Sequence, residues 1–389
     1  MDFDFTEEQR MVKETAAAFV EKEIEPVANQ MDRDAAYPTE LVRRLGELGF
    51  MGMFVPEELG GAGMDLVCYT IAMEEISKAW ASLGVVMSVQ NSLVCAPILR
   101  FGNAAQKKKY LASLARGHLL GCYSLTEPGA GSDAGSIQTR ARRDGNDYVL
   151  NGSKIFTTGG SRADLVIVYA VTDPAAGKKG ISAFIVEKNS PGLVVGKLED
   201  KLGLRSSDTA SLLLEDCRVP QKNLLGDQGD GFRIALATLD GGRIGIAAQA
   251  LGIAQGCLEE SLAYATERRQ FNRPIADFQA IQWMLADMAT EIDAARLLTH
   301  RAACLAQQPK RSFTKEAAMA KLFASEAANR AAYKAIQVFG GYGYTKDFAV
   351  ERFFRDARIT TLYEGTSEIQ RLVIARRLIH GEEIDHELH

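Results

Sequence analysis

The pattern of hydrophobic and polar positions divides the chain into three regions. Up to about residue 120, apolar residues recur every three to four positions, the period of amphipathic helices, and Thr6 and Thr39 stand where helix caps are expected. From about 121 to 230, short apolar and β-branched runs alternate with Gly, Pro and Asp, a pattern typical of strands. From about 231 to 389, the helical spacing returns.

The middle region predicts an antiparallel barrel or sandwich. The apolar runs at 165–171, 181–186 and 212–214 have the length and composition of strands. Asp144-Gly145 and Asn151-Gly152 are two-residue turn signals, so we expect a tight hairpin at each of them.

The last region predicts four long helices, near 231–267, 276–307, 312–339 and 367–379. The first is rich in Gly and Ala, whose small side chains let helices approach closely in the centre of a bundle. The last begins at Ser367-Glu368-Ile369-Gln370, which fits the S/T-x-x-Q capping box.

Together these patterns predict the α+β fold class. A chain of 389 residues is too long for one simple core, so two or three packed regions are expected. We expect an N-terminal α-helical domain over 1–120, a middle antiparallel β-barrel or sandwich domain over 121–230, and a C-terminal four-helix bundle over 231–389.

Composition argues against two classes of partner. The formal net charge of −5 disfavours a broad nucleic-acid-binding surface. No uninterrupted apolar run approaches the roughly 18 residues that a membrane-spanning helix needs, so we expect no membrane insertion.

Cysteine and histidine usage indicates an intracellular protein without a metal site. The six cysteines are scattered and form no C-x-x-C pair, which is typical of free thiols in a reducing compartment. The five histidines form no ligand cluster. Motifs for a nicotinamide Rossmann site, a P-loop, a hydrolase nucleophile elbow and a zincin are all missing from the sequence.

Glu364 is the most informative candidate residue. It lies within Tyr363-Glu364-Gly365-Thr366, just before the last predicted helix. The glycine and the helix N-terminus can direct peptide N–H groups toward an oxygen-rich ligand. A carboxylate there can remove a carbon-bound proton while nearby amides hold the carbonyl oxygen. The alternative is a solvated glutamate that merely precedes a helix.

Two segments of the middle region have the composition of a cofactor site. The Gly-rich stretch from Tyr123 to Asp133 can turn consecutive amides toward a phosphate, with Ser132 as a hydroxyl donor, or it can be a plain turn. Phe156-Thr157-Thr158 offers an aromatic face beside hydroxyl donors, which suits a flat heteroaromatic ring. Its alternative is an ordinary half-buried strand.

Three further groups lie on the helices of the last region. Asp240 and Arg243 share a helix face, either as a simple surface pair or with Arg243 bound to a nucleotide-bearing ligand. Arg268 and Phe271, with Gln279 in the next helix, can clamp a pyrophosphate and adenine. The segment from Gln337 to Gly341 ends a helix at a glycine stop, which can be a simple C-cap.

Taken together and in this order, these segments resemble the acyl-CoA dehydrogenases over essentially the whole chain. The stretches that carry the resemblance are Leu125-Thr126-Glu127-Pro128 with Gly131-Ser132-Asp133, Asn151-Gly152-Ser153-Lys154 with Thr158, Arg268 with Phe271, Gln337 with Gly340-Gly341-Tyr342-Gly343, and Arg355-Asp356-Ala357 with Tyr363-Glu364-Gly365-Thr366. The short-chain, butyryl-CoA-type members are the nearest, because they share Leu239-Asp240 and Gly242-Arg243-Ile244-Gly245.

The resemblance implies a cofactor, a substrate and partners. FAD is the expected cofactor, a short-chain acyl-CoA the substrate, and an electron-transfer flavoprotein the electron acceptor. The expected assembly is a homotetramer, a dimer of dimers built on the C-terminal bundles. A cytoplasmic location is expected for a bacterial-type chain, or the mitochondrial matrix for a processed eukaryotic one.

The resemblance also implies a mechanism. By the family's pattern, Glu364 removes the pro-R α-proton while the β-hydride passes to flavin N5, which gives a trans-2-enoyl-CoA. The Glu364 amide and a flavin ribityl hydroxyl hold the thioester oxygen. Gly242 stands where isovaleryl-type enzymes carry their base, which favours Glu364 in that role. An acyl-CoA oxidase or flavin monooxygenase on the same fold, and a non-catalytic acyl-CoA-binding scaffold, remain alternatives.

The resemblance assigns further residues to each ligand. The positions that match FAD contacts are Tyr123, Leu125, Thr126, Gly131, Ser132, Phe156, Thr158, Arg268, Phe271, Gln279, Gln337, Gly340, Gly341, Thr366 and Glu368. Among these, five match positions that reach the FAD of a neighbouring subunit: Arg268, Phe271, Gln279, Gln337 and Gly341. The positions that match substrate contacts are Ser132, Asp240, Arg243, Tyr363 and Gly365.

Overall fold

The computed structural model describes residues 4–308 and 311–381. Its chain begins with helices, continues with an eight-stranded sheet and returns to helices. The first helices are α1 Glu7–Phe19, α2 Glu25–Asp34, α3 Thr39–Glu47, α4 Leu66–Ala79, α5 Ala81–Ser88, α6 Ala96–Phe101 and α7 Ala104–Ala115.

The cap predicted at Thr6 is confirmed, and the one at Thr39 is wrong. Thr6 accepts a hydrogen bond from the Gln9 backbone N–H, and the Gln9 side chain accepts one from the Thr6 N–H, which completes a capping box. Thr39 is instead the first residue of α3, after Pro38, and no side chain caps this helix.

One early segment forms a longer apolar helix than the sequence analysis predicted. A π-helical stretch joins α5 to α6, so that Ala81–Phe101 is long and apolar enough to cross a membrane by length and composition. Inside the protein, 83% of its apolar window is buried. Uncharged polar residues such as Gln90 and Asn91 interrupt the run, and both are buried and hydrogen-bonded. This segment therefore packs as a core helix.

The middle of the chain forms one sheet with the order β6-β7-β3-β2-β4-β5-β8, and β1 pairs with β4. The three predicted strands are confirmed as β4, β5 and part of β7. The pairing is antiparallel except where β4 meets β1 and β2 in parallel. The strands are β1 Gly121–Ser124, β2 Arg140–Asp144, β3 Asp147–Thr158, β4 Leu165–Val171, β5 Ile181–Glu187, β6 Leu193–Leu198, β7 Thr209–Pro220 and β8 Leu224–Leu225.

Alternate residues of the sheet face two different cores. In β4, Ile167 packs with the helices, whereas Val168 packs in a second core inside the sheet. That second core also contains Leu212 and Leu214 of β7, a strand that is not hydrogen-bonded to β4. The sheet therefore curls over its own apolar face, as the predicted barrel or sandwich requires.

Only one of the two predicted hairpin turns is a turn. Asp144 pairs with Asp147, so Gly145 and its neighbour form a two-residue connection, one position later than predicted. The hairpin expected at Asn151-Gly152 is wrong, because β3 continues through it with a β-bulge opposite β7.

Among the described residues from 231 to 381, the four predicted helices are present, each within a few residues of its expected bounds, together with one further α-helix. They are α8 Gly231–Glu267, α9 Gln279–Ala306, α10 Thr314–Phe339, α11 Val350–Ile359 and α12 Ser367–His380, with the short strands β9 Arg269–Gln270 and β10 Arg273–Pro274 between α8 and α9. The helix α11 was not predicted.

Small residues let α8 lie against α4 at the centre of the helical core. A side chain at Gly245 would overlap the Tyr69 hydroxyl, and one at Gly252 would overlap the Glu74 carbonyl of α4. The expectation that the Gly-rich helix occupies a bundle centre is therefore confirmed.

Candidate active site

A cavity of about 1000 Å³ lies where the sheet meets the C-terminal helices. Its walls come from the ends of β1 and β3, the loop before β7, the helix α8 and the segment that links α11 to α12. Predicted site residues that line it are Tyr123, Leu125, Thr126, Gly131, Ser132, Phe156, Thr158, Arg243, Tyr363, Glu364, Gly365 and Thr366.

Glu364 lies in a tight connection between α11 and α12. Its φ is 51° and that of Gly365 is 91°, so two consecutive residues adopt the left-handed region. The Gln370 side chain donates to the carbonyl oxygens of Glu364, at 3.1 Å, and Gly365, at 2.9 Å. Lys321 Nζ donates to the same Gly365 oxygen at 2.7 Å. Donors from α10 and α12 therefore fix this turn.

The capping box predicted at Ser367 is wrong by one residue. Thr366 is the N-cap, and its side chain accepts from the Ile369 N–H. Because the helix starts one position earlier than a Ser367 cap would allow, Gln370 lies one residue too late to close the box. Its amide is free to hold the Glu364 turn instead.

The environment of the Glu364 carboxylate raises its affinity for a proton. Its Oε2 atom is buried and accepts no hydrogen bond from the described residues. Burial raises the pKa of Glu364 to about 7, even though the nearby charges of Lys321 and Arg243 lower it. A solvated glutamate before a helix, the alternative reading, does not fit this environment.

The backbone of Glu364 also points to an oxygen ligand. Within residues 4–308 and 311–381, its N–H donates to no protein acceptor, whereas its carbonyl is occupied by Gln370. A free peptide N–H on the residue that carries this carboxylate matches the expected arrangement for holding a carbonyl oxygen.

Asp240 and Arg243 form a buried pair, not a surface pair. Arg243 Nη1 donates to Asp240 Oδ1 at 2.6 Å, and Thr314 Oγ1 donates to Asp240 Oδ2 at 2.6 Å. Arg243 lines the cavity, and its buried Nε has no partner among the described residues, whereas Asp240 does not line the cavity. Asp240 therefore holds the Arg243 guanidinium without itself lining the cavity.

A second buried ion pair fixes the loop after β1. Lys154 Nζ, on β3, donates to the Leu125 carbonyl at 3.1 Å and to Glu127 Oε1 at 2.8 Å. Glu127 also accepts from the backbone N–H groups of Gln138 and Thr139. The Gly-rich loop is thus anchored at its start.

The sheet side of the cavity presents groups that fit a flavin. Phe156 has a φ of 55° and leaves 62% of its surface exposed at the cavity. The Tyr123 hydroxyl is buried without a partner in the described part of the chain. A Cβ atom at Gly131 would meet nothing within 4 Å, so a ligand can approach this backbone closely. These aromatic, hydroxyl and open-backbone features suit the ring and phosphates of FAD.

A separate set of predicted FAD residues lies away from the cavity. Its members are exposed or half-exposed on the far helices and turns: Arg268, Phe271, Gln279, Gln337, Gly340 and Gly341. Phe271 leaves 87% of its surface exposed. Glu368, on the first turn of α12, is also exposed and does not line the cavity.

Sequence reasoning missed Lys321 and the role of Gln370. Lys321 lies on the helix face of α10 that buries Ala317 and Ala324, and it is fully buried itself. A lysine at helical spacing within an apolar face was the signal that could have identified it. In the described residues, no group of three or more His, Cys, Asp or Glu side chains could hold a metal ion.

Known proteins match this chain over nearly its whole length. Family models match over residues 6–118, 122–217 and 229–379, and they describe the N-terminal, middle and C-terminal domains of acyl-CoA dehydrogenase. The mitochondrial short-chain specific acyl-CoA dehydrogenase of Mus musculus is 54% identical over 97% of this chain and 92% of its own length.

Two solved structures are similar over nearly the whole chain. Butyryl-CoA dehydrogenase from Megasphaera elsdenii has a TM-score of 0.96 and 45% identity, over 97% of this chain and 100% of that one. A chain in a structure described as the electron transferring flavoprotein of Acidaminococcus fermentans has a TM-score of 0.96 and 50% identity, over 98% and 100%.

Proposed function

The chain belongs to the acyl-CoA dehydrogenase family, and we propose that it dehydrogenates a short-chain acyl-CoA with Glu364 as the base. The family, the fold, the FAD-dependent enzyme class and the cofactor that the motifs predicted are confirmed. The observation that carries the proposal is the unpartnered Glu364 carboxylate, buried in a cavity lined by predicted flavin contacts.

The cofactor would lie against the sheet side of the cavity. Phe156 and Thr158 would contact its ring, and the loop around Gly131 and Ser132 would hold its phosphates. When bound, FAD supplies the acceptor for the two electrons and the hydrogen that leave the substrate β-carbon.

Glu364 would take the α-proton of the thioester. An ordinary carboxylate is too weak a base for this carbon, so two adjustments are needed. Burial raises the pKa of Glu364 to about 7, and an acyl chain that excludes more water would raise it further. The free Glu364 N–H would hold the thioester oxygen and stabilise the negative charge that develops there.

The cavity wall suits a short apolar chain. Val85, Val89 and Leu93 line it on one side, and Leu236 and Leu239 of α8 line it on another. Arg243, supported by Asp240, supplies a fixed positive charge for the polar end of the ligand. The butyryl-CoA and short-chain names of two similar proteins favour the short acyl class.

We also propose a homotetramer and an electron-transfer flavoprotein as the acceptor. Exposed apolar side chains on the C-terminal helices support the assembly: Leu262, Trp283, Tyr333 and Leu378. The similar chain in a structure named for an electron transferring flavoprotein supports the acceptor. The division of the chain at residues 120 and 230 stays a prediction, and so does a cytoplasmic location of bacterial type.

The test is Glu364→Gln, which keeps the shape of the side chain and removes the base. We expect the variant to keep FAD but to lose reduction by butyryl-CoA, by about 10²- to 10⁴-fold. The measurement is the anaerobic loss of flavin absorbance in a stopped-flow instrument. The matched control is Glu58→Gln, an exposed glutamate outside the cavity, which should react like the wild type.

Three outcomes would overturn parts of the proposal. Rapid loss of flavin absorbance in Glu364→Gln would place the base elsewhere. Steady oxygen consumption by the wild type without an added acceptor would indicate an oxidase or monooxygenase. A colourless wild-type protein that cannot be loaded with FAD would indicate a binding scaffold.

A further inference from the structure

Lys321 is a buried ammonium that the reaction described above does not use. It lies on α10, none of its surface is exposed, and Ala317 and Ala324 are buried on the same helix face. In the described part of the chain, its hydrogen bond goes to the Gly365 carbonyl, at 2.7 Å. Because burial of a cation costs free energy, a buried lysine at this position indicates a functional role.

The carbonyl that Lys321 holds belongs to the strained turn of the base. Glu364 and Gly365 both have positive φ, which persists in a non-glycine residue only when the surroundings determine it. Two side chains converge on Gly365 O, the Lys321 ammonium from α10 and the Gln370 amide from α12. They hold the Gly365–Thr366 peptide, one residue after Glu364, and Gln370 also holds the Glu364 carbonyl, so the backbone on which the carboxylate stands is fixed.

Lys321 also acts on Glu364 through its charge. After burial, which raises the pKa of Glu364, the Lys321 ammonium has the largest effect and lowers it, followed by the Arg243 guanidinium of α8. Burial in turn lowers the pKa of Lys321 to about 7, opposed by Glu364, while Arg243 lowers it further and Glu326 and Glu368 raise it. The carboxylate and the ammonium therefore titrate together near neutral pH.

We propose that Lys321 is a positioning residue for the base. Its ammonium holds the Gly365 carbonyl so that the Glu364 carboxylate faces the cavity, and its charge keeps that carboxylate ionised before substrate binds. This inference rests on the proposed role of Glu364.

The test compares Lys321→Met, which removes both the donor and the charge, with Lys321→Gln, which keeps an N–H donor without the charge. The base must be ionised to accept a proton, so the rate of flavin reduction rises with pH through the pKa of Glu364. Loss of a nearby positive charge raises that pKa. We expect the pH at which the rate of flavin reduction rises to increase by about one unit in both variants. Near pH 6.5 their rate should be about tenfold lower than that of the wild type, and at high pH it should return to the wild-type value.

A second measurement isolates the hydrogen bond and needs no bound cofactor. Amide hydrogen exchange over residues 360–370 should accelerate in Lys321→Met and less in Lys321→Gln, because only the methionine leaves the Gly365 carbonyl without this donor. The matched control is Lys334→Met, which removes another cation of α10, one paired with Asp287. It should leave both the pH profile and the exchange unchanged.

The outcomes separate this inference from the proposed function. If Glu364→Gln is inert but both Lys321 variants keep the wild-type pH profile and exchange rates, Lys321 has no positioning role. If Glu364→Gln still reduces its flavin, the assignment of the base itself fails. If Lys321→Met does not fold, the pH dependence of flavin reduction in Lys321→Gln is the deciding measurement. A rate that rises at the same pH as in the wild type would overturn the charge effect.

Discussion

At the scale of single residues, the position of the Glu364 carboxylate depends on the absence of a side chain at Gly242 of α8. A Cβ atom at Gly242 would overlap Glu364 Oε2 and press on Leu93. Because the overlapped atom is the end of a flexible side chain, Gly242→Ala should fold and displace the carboxylate. We expect flavin reduction by butyryl-CoA to slow by about 10- to 100-fold, since a shift of about 1 Å in a reacting group has that cost.

Gly241→Ala is the matched control for this substitution. It adds the same methyl group one position earlier on the same helix, where a Cβ atom meets nothing within 4 Å. It should keep the wild-type rate and gain up to about 1 kcal/mol of stability from helix propensity. Equal rates in the two alanine variants would show that Gly242 gives the base no needed space.

Glu364 in the turn and Lys321 on α10 differ in how well the sequence predicts their environment. Glu364 was predictable because its glycine neighbour and the following helix are adjacent in sequence. Lys321 contacts the turn across 44 residues of sequence, and no local pattern predicts which residue a buried lysine will meet. Likewise, the burial of Asp240 with Arg243 depends on Thr314 from another helix.

At the scale of elements, the Lys154–Glu127 pair joins β3 to the loop that follows β1. Burial lowers the pKa of Lys154 to about 8, opposed by Glu127. Burial also acts to raise the pKa of Glu127, but Lys154 and the surrounding donors hold it below its ordinary value. The pair therefore keeps both charges and fixes Leu125, a predicted FAD contact.

Lys154→Met should destabilise the protein by about 3–5 kcal/mol, because it leaves the buried Glu127 carboxylate without its counter-ion. Denaturant unfolding measures this loss, and FAD retention should fall with it. Lys197→Met is the control, since that lysine is 74% exposed in its pair with Glu199 and should contribute under about 1 kcal/mol. A similar loss in both variants would contradict a special role for the buried pair.

Elements with a strong periodic pattern of apolar residues were predictable from the sequence. Features that depend on a strand or helix distant in sequence were not. The long helices follow from the spacing of apolar residues, which is local. The bulge at Asn151-Gly152 depends on β7, where Asp216 exchanges hydrogen bonds with Asn151 across 65 residues. The same dipeptide would form a hairpin turn if that partner strand were elsewhere.

At the scale of the whole molecule, the predicted cofactor residues fall into two places that one chain does not bring together. One set lines the cavity, and the other, which includes Phe271 and Gln279, is exposed elsewhere. This separation supports the proposal that a second copy of the chain completes each FAD site. FAD retention should then depend on protein concentration.

Phe271→Ala should weaken FAD retention without lowering the stability of the isolated chain, because the ring is 87% exposed. Flavin fluorescence released on dilution measures retention, and sedimentation of the same samples measures assembly. Phe354→Ala, which removes an exposed ring of α11 outside the predicted set, is the control. Retention equal to the wild type at every concentration would show that the far set does not touch the cofactor.

The place of Glu364 in the chain order has a consequence for protein synthesis. The strands β1 and β3 leave the ribosome long before the turn between α11 and α12. A nascent polypeptide can therefore fold the loops that we propose to hold the flavin while Glu364, the proposed base, is still untranslated. Premature termination between α10 and α11 would yield a product with most of the cavity wall but without the proposed base.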